Sequence, residues 1–299
     1  MSTDLHLRVT GEQAISAEVF ALRRDGYIIL EDMLPSTAVA SLDAELSPIF
    51  ETVPFCQGGF YGERTKRFGG LLSRSEQSAD LIQHPKIIAI AEEILSPWCD
   101  TIQLNLGQAI EIHPGALSQF PHRDQDMWRG PTGELEYLIN VMWPITDFRE
   151  ENGATLIWPA SHGAAAAQDP PSQSPAVMEC DPGSAIVFLG STLHCAGANR
   201  TQLPRRGVIA SYCLGWLKPY ENQWLVYPPA VARHFSTDLA GLIGYRQHRP
   251  NLGNFEGQCP SVLLNGNLPQ TLNAVDALRP DQAAAVAEFV ESQKGRLPS

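Results

Sequence analysis

The sequence predicts a mainly β protein with supporting helices, built as a β-sandwich or jelly roll. Three observations carry that prediction. Beyond about residue 100, several short segments alternate apolar and polar residues with the period of a strand. Turn signals such as Glu151-Asn152-Gly153 and Asp181-Pro182-Gly183 separate them. Helical segments gather before and after the strands without alternating with them, which argues against a doubly wound α/β fold.

The elements follow in chain order. Residues 14–24 place Ile15, Val19 and Leu22 on one helical face, and Asp25-Gly26 stops that helix. Tyr27 to Leu30 read as a short strand. A second helix over 36–50 runs through Val39, Leu42, Leu46 and Ile49, and a third over 86–95 is opened by Pro85. Thr65 to Gly70 read as a basic, glycine-containing loop, either solvated or touching an anionic substrate. Strands follow at 101–112, with Ile102, Leu104, Leu106, Ile110 and Ile112 on one face, and at 135–145, with Leu135, Tyr137, Ile139, Val141, Trp143 and Ile145 together. Further strands fall at 154–158, 184–189 and 207–216. Ala164 to Ala167 form a low-complexity loop. Residues 229–243 and 280–293 read as helices, the latter with Val286, Phe289 and Val290 on one side. The chain is thus one domain over 1–299, with a core at about 100–216. Residues 217–299 form an appendage, serving as a lid or as the contact of a homo-oligomer.

Composition narrows the function. The 299 residues are 43% hydrophobic and 18% charged, ample for a core. A net charge of −12, with no dense Lys/Arg cluster, disfavours nucleic acid and favours a small-molecule substrate. No stretch approaches the ~20 apolar residues of a membrane span. The opening MSTDLHLRVTGEQ lacks the pattern of a signal peptide, so a cytoplasmic location is expected. The six cysteines (56, 99, 180, 195, 213 and 259) form no CxxC and read as reduced, mostly buried thiols.

His122-Arg123-Asp124 is the first chemical signal. In extended chain, residues i and i+2 point the same way, so His122 and Asp124 can reach one metal while Arg123 points elsewhere. The pair is weak alone, but two imidazoles and a carboxylate on one face are the ligand set of many non-haem iron(II) oxygenases. His194, ending the apolar run Ile186 to Leu193, offers the third ligand. Arg205, eleven positions later, opens the next alternating strand. Its planar fork suits the distal carboxylate of 2-oxoglutarate, whose keto-acid end chelates iron.

With these pieces the sequence resembles the phytanoyl-CoA dioxygenase-like branch of the iron(II)/2-oxoglutarate oxygenases. The resemblance covers roughly residues 20–250. It rests on His122-Arg123-Asp124, His194, Arg205 after a proline, and Glu151-Asn152-Gly153-Ala154-Thr155 running to Pro159-Ala160-Ser161-His162. It implies a double-stranded β-helix, Fe(II) held by His122, Asp124 and His194, and 2-oxoglutarate contacted by Arg205, Gln119 and Thr155. The implied reaction consumes O2 and 2-oxoglutarate, releases succinate and CO2, and hydroxylates, desaturates or rearranges a metabolite, with a hydrophobic secondary metabolite favoured. Asp124 argues against halogenation, because related halogenases carry a small residue there. Two departures stand out: Ala160 replaces the family's usual glycine, and Arg206 beside Arg205 offers a second reading of the carboxylate partner, with the family spacing favouring Arg205.

Other residues carry blander expectations. His162 reads as closing a turn and His113 as a strand-end residue, while His6, His84, His234 and His248 fall to surface or packing roles. Met127 and Trp128 line the pocket or join the core. Ser211 and Cys213 share the parity of Arg205 and could face the cavity. Two alternatives compete with the oxygenase: a jelly-roll binding protein without catalysis, and a cupin-like metal enzyme without a keto acid.

Overall fold

Helix α1 (Ala17–Asp25) buries Val19 and Leu22. It ends at Gly26, whose φ of 83° and N–H bond to the Leu22 carbonyl form a left-handed stop. A Cβ at Gly26 would meet Thr192 Oγ1 at 2.6 Å, so glycine also lets the chain pass close to the turn that holds Thr192. The computed structural model describes residues 17–131, 133–164, 166, 173–266 and 269–294. Ile15, His6 and part of the Ala164–Ala167 segment lie outside them.

Two antiparallel sheets follow. The larger has the order β1-β7-β4-β9-β3-β2, from β1 (Tyr27–Leu30), β2 (Thr65–Phe68), β3 (Ile102–Ile112), β4 (Leu138–Pro144), β7 (Ala185–Leu189) and β9 (Arg205–Leu214). The smaller has the order β6-β5-β8, from β5 (Thr155–Ile157), β6 (Ala176–Val177) and β8 (His194–Ala196). This is the expected double-stranded β-helix. Helices α2 (Ser36–Thr52), α3 (Gln77–Ile82) and α4 (Pro85–Leu95) cover the outer face of the larger sheet, where Leu42, Leu46, Ile87 and Ile94 meet Ile139, Val141, Trp143 and Tyr212. A second core lies between the sheets, around Ile110, Met142, Phe148, Ile157, Ile186 and Phe188. Burying each such side chain contributes roughly 1.5–3 kcal/mol.

Several expectations change here. Thr65 to Phe68 is not a loop but the edge strand β2, paired with β3 so that Arg67 faces Ile110. The single face assigned to β3 is broken by a bulge between Leu104 and Leu106. Ile102 and Leu104 pack towards the helices, and beyond the bulge Gly107 takes that side, within 3.2 Å of Ile82 for an added Cβ. Leu106, Gln108, Ile110 and Ile112 consequently turn to the inside. Asn105, at the bulge, is fully buried: its side chain donates to Ser211 Oγ and accepts from the Tyr220 N–H, and its carbonyl takes the Glu221 N–H. It thereby ties down the chain that follows β9.

His194 does not end β7. That strand stops at Leu189, a turn intervenes, and His194 opens β8. The helix expected over 229–243 is divided into Pro229–Ala232 and Thr237–Ala240, because Ser236 caps a new start by accepting from the Leu239 N–H. The terminal helix Pro280–Lys294 forms as expected but buries none of its residues; Phe289 is 64% exposed. Its apolar side finds no core within the described chain.

Candidate active site

One cavity lies between the sheets, of about 720 Å3 including its open mouth. His122, Asp124, His194, Arg205, Gln119 and Thr155, the six residues singled out in the sequence, all line it. Sequence-distant segments bring the first three together. His122 and His194 form an isolated antiparallel bridge, each accepting the other's N–H at 3.0 Å. Arg123 is extended between His122 and Asp124, and its side chain turns away to donate to the carbonyls of Ser191 and Ser161.

The geometry of the triad suits a cation. His122 Nε2 lies 3.4 Å from Asp124 Oδ1 and His194 Nε2 3.6 Å from Asp124 Oδ2, and one ligand atom from each residue falls within 4.8 Å of the others. Donors about 2.1 Å from a shared ion at right angles sit roughly 3 Å apart, so little adjustment is needed. The imidazoles are already in the correct tautomer. Nδ1 of His122 donates to the Phe120 carbonyl at 2.8 Å and Nδ1 of His194 to the Thr192 carbonyl at 3.0 Å. A carbonyl can only accept, so the proton is on Nδ1 and the Nε2 lone pairs converge beside the carboxylate. Two nitrogens and one carboxylate on a single face match the facial triad of non-haem iron.

Electrostatics agree with that set. Burial alone would push the Asp124 carboxyl up, but the adjacent imidazoles and Arg67 outweigh it and hold the group below its ordinary value. Burial pushes His194 down, favouring the neutral, ligating form. Burial opposes charge on His122 too, but the Asp124 carboxylate beside it outweighs burial and raises it, favouring a positive charge at the place where a cation would sit. The rings of Phe60 and Phe188 lie 4.8 and 4.6 Å from the two imidazoles, giving the site apolar walls.

Arg205 stands at the inner end. It is 1% exposed, with one terminal nitrogen donating to the Gly153 carbonyl and its face 4.1 Å from the Phe148 ring. Its Nε and other terminal nitrogen are buried without a partner among the described residues. Burial pushes its pKa down to about 9, so it is still a cation at neutral pH. A buried cation with idle N–H groups is a costly arrangement that an incoming carboxylate relieves. Arg206 points to the opposite face, bonded to Glu111, Asp43 and Ser47. Strand alternation thus sends the two arginines to opposite faces, and of the two Arg205 lines the cavity.

Other residues fall on either side of expectation. Arg67 is the main residue the sequence reading did not place. It lines the cavity, a terminal nitrogen donating to Gln108 at 3.3 Å and its buried Nε lacking a partner among the described residues. Tyr61 and Tyr220 also line the cavity, and their hydroxyls are hydrogen-bonded to each other. Met127 lines it as well, whereas Trp128 packs near Tyr137 and donates to the Lys218 carbonyl. Arg205 and Ile209 represent β9 in the lining; Ser211 and Cys213 do not, the first engaged by Asn105 and the second buried in the larger apolar core. His162 donates to the Arg23 carbonyl and His113 bonds Glu111, while His84 packs by Trp143 and His248 accepts from the Asp100 N–H. The cysteines are free, and Cys195 is buried on the cavity wall.

Ala160 adopts φ 54°, the left-handed region, which explains why glycine is usual there. Ala160→Gly should therefore raise stability by about 1 kcal/mol, the ~1–2 kcal/mol strain relieved exceeding the added freedom of the unfolded chain. Urea denaturation measures it, and an unchanged or lower midpoint would refute the strain argument.

Comparisons with known proteins converge on the same chemistry. Residues 22–207 match the sequence profile of the family described as Phytanoyl-CoA dioxygenase (PhyH). The dioxygenase trt7 of Aspergillus terreus (strain NIH 2624 / FGSC A1156) is 33% identical over 256 residues, covering 81% of this chain and 86% of trt7. The multifunctional dioxygenase ausE of Penicillium brasilianum is 30% identical, covering 78% and 84%. Among solved structures, the non-heme alpha ketoglutarate dependent epimerase SnoN from nogalamycin biosynthesis shares the fold, with a TM-score of 0.56 and 21% identity over 68% of this chain and 84% of SnoN. EctD from S. alaskensis also reaches 0.56, at 20% identity over 74% and 86%. The His122, Asp124 and His194 cluster lies in a jelly-roll cavity, and the chain belongs to the phytanoyl-CoA dioxygenase family as an iron- and 2-oxoglutarate-dependent dioxygenase.

Proposed function

We propose that His122, Asp124 and His194 hold the iron, that Arg205 receives the distal carboxylate of 2-oxoglutarate, and that the oxidised substrate is a largely apolar secondary metabolite. The carrying observation is that Arg205 presents unpartnered N–H groups inside the same cavity as the triad. 2-Oxoglutarate is a dianion, and the cavity offers it two guanidinium groups, Arg205 and Arg67. Thr155 and Gln119 add polar contacts along the minor-sheet wall. When bound, iron couples the oxidative decarboxylation of 2-oxoglutarate by O2 to oxidation of the substrate. The protein's own work is to orient and to shield: Arg205 fixes one end of the co-substrate, while Phe60, Met127, Met142, Phe188 and Ile209 form an apolar wall.

That wall favours a substrate with an apolar body, and hydroxylation, desaturation or rearrangement of it. Relatives named for nogalamycin biosynthesis support a place in secondary metabolism. No helix among the described residues is long and apolar enough to cross a membrane, and we place the enzyme in the cytoplasm. The whole chain acts as one domain, with Tyr220 bringing the segment after β9 to the cavity mouth. If the enzyme self-associates, the exposed apolar side of Pro280–Lys294 is the surface we assign to it.

The test is an anaerobic titration of metal-free protein with Fe(II) and 2-oxoglutarate. A weak visible charge-transfer band should appear and saturate at one equivalent of each. Folded protein that never develops the band would overturn the reading.

A further inference from the structure

Both ligand-bearing segments are tied to the same two serines. Arg123, between His122 and Asp124, donates from Nε to the Ser191 carbonyl at 2.9 Å and from a terminal nitrogen to the Ser161 carbonyl at 3.1 Å. Leu193, immediately before His194, donates its N–H to Ser161 Oγ at 2.9 Å. The Ser161 hydroxyl in turn donates to the Trp158 carbonyl. Ser191 is fully buried, in the turn between β7 and β8. Its N–H and hydroxyl both donate to one carboxylate, Glu136, which belongs to neither segment and lies just before β4.

We infer that Glu136 is a positioning residue for the metal centre, holding the Ser191 turn so that the segments carrying His122, Asp124 and His194 keep their mutual register. The inference rests on the assignment of those three residues as iron ligands. Glu136 is half-buried, and burial pushes its carboxyl up to about 7 against the opposing hydrogen bonds from Ser191. Each of its two oxygens accepts a hydrogen bond from Ser191. Without it, two buried donors of Ser191 lose their partner, and the turn must move to find others. Arg123 would follow through the Ser191 carbonyl, carrying the flanking ligands with it. Outer contacts of this kind commonly change metal affinity by about 10–100-fold.

The experiment measures Fe(II) affinity through the anaerobic 2-oxoglutarate band at pH 8 in wild type, Glu136→Ala, Glu136→Gln and Leu46→Ala. Glu136→Ala should bind Fe(II) about tenfold more weakly, with a displaced band, while remaining folded. Glu136→Gln, whose amide oxygen still accepts from Ser191, should recover affinity to within about threefold of wild type. Leu46→Ala, a core truncation in α2 remote from the cavity, should lower stability but leave affinity unchanged. Equal affinities in Glu136→Ala and wild type would overturn the inference while leaving the ligand assignment standing. So would an equal loss in Leu46→Ala. A wild type that binds no Fe(II) would remove the ligand assignment and this inference together. Should Glu136→Ala not fold, Ser191→Ala reads the same contact from its other end and should show a weaker form of the same loss.

Discussion

Arg205→Ala is expected to weaken 2-oxoglutarate binding by two to three orders of magnitude. The side chain is 1% exposed and already holds the Gly153 carbonyl, which fixes its plane while two nitrogens stay free. A carboxylate meeting that fork makes charge-assisted bonds away from water, and losing one partner of such a pair costs about 2–5 kcal/mol. Each 1.4 kcal/mol is tenfold in affinity. The loss should fall on the 2-oxoglutarate KM more than on kcat, because the distal carboxylate takes no part in the redox chemistry. Arg205→Lys should recover little: an ammonium keeps the charge but not the planar fork. The readout is the 2-oxoglutarate concentration needed to half-saturate the Fe(II) band, and a change below threefold would show that the distal carboxylate lies elsewhere.

Asp124→Ala and His194→Ala should each abolish stable Fe(II) binding. Three protein ligands are few, and removing one leaves two imidazoles, or one imidazole and a carboxylate, to compete with water. The loss should exceed the ~10–100-fold typical of outer contacts. Asp124 carries a further burden, since its negative charge offsets the dication and keeps company with both rings. Metal content after anaerobic loading and desalting gives the answer. Retention of one equivalent by either variant would move the metal away from this cluster.

Much of the site was legible because its logic is local. His122 and Asp124 are two residues apart, and extended chain puts both on one side. Arg205 and Arg206 were separable because strand alternation sends neighbours to opposite faces, as their different partners confirm. Arg67 was not legible. Thr65 to Phe68 is too short to show a period and runs into Gly69-Gly70, so only its pairing with β3 makes it a strand. That pairing, not local sequence, turns Arg67 towards the cavity. The placement of Ser211 and Cys213 failed for a related reason: parity says which face a residue takes, but not how far along the strand the cavity reaches. Ile209 lies within that reach, whereas Ser211 is taken up by Asn105. Glu136 shows no pattern in sequence, because its meaning depends on a serine 55 residues away.

The bulge at Asn105 has a consequence for how such an enzyme can diversify. Because one extra residue switches the parity of β3, the strand's first half answers to the helix-side core and its second half to the substrate chamber. Changes at Leu106, Gln108 or Ile110 can reshape the chamber without disturbing the packing of Ile102 and Leu104. Removing a single residue at the bulge would have the opposite effect. It would exchange the wall of the chamber for the sheet's outer face and release the segment that brings Tyr220 to the mouth. Point substitution beyond the bulge is therefore the permissive route to new specificity in this strand, and insertion or deletion within it is the forbidden one.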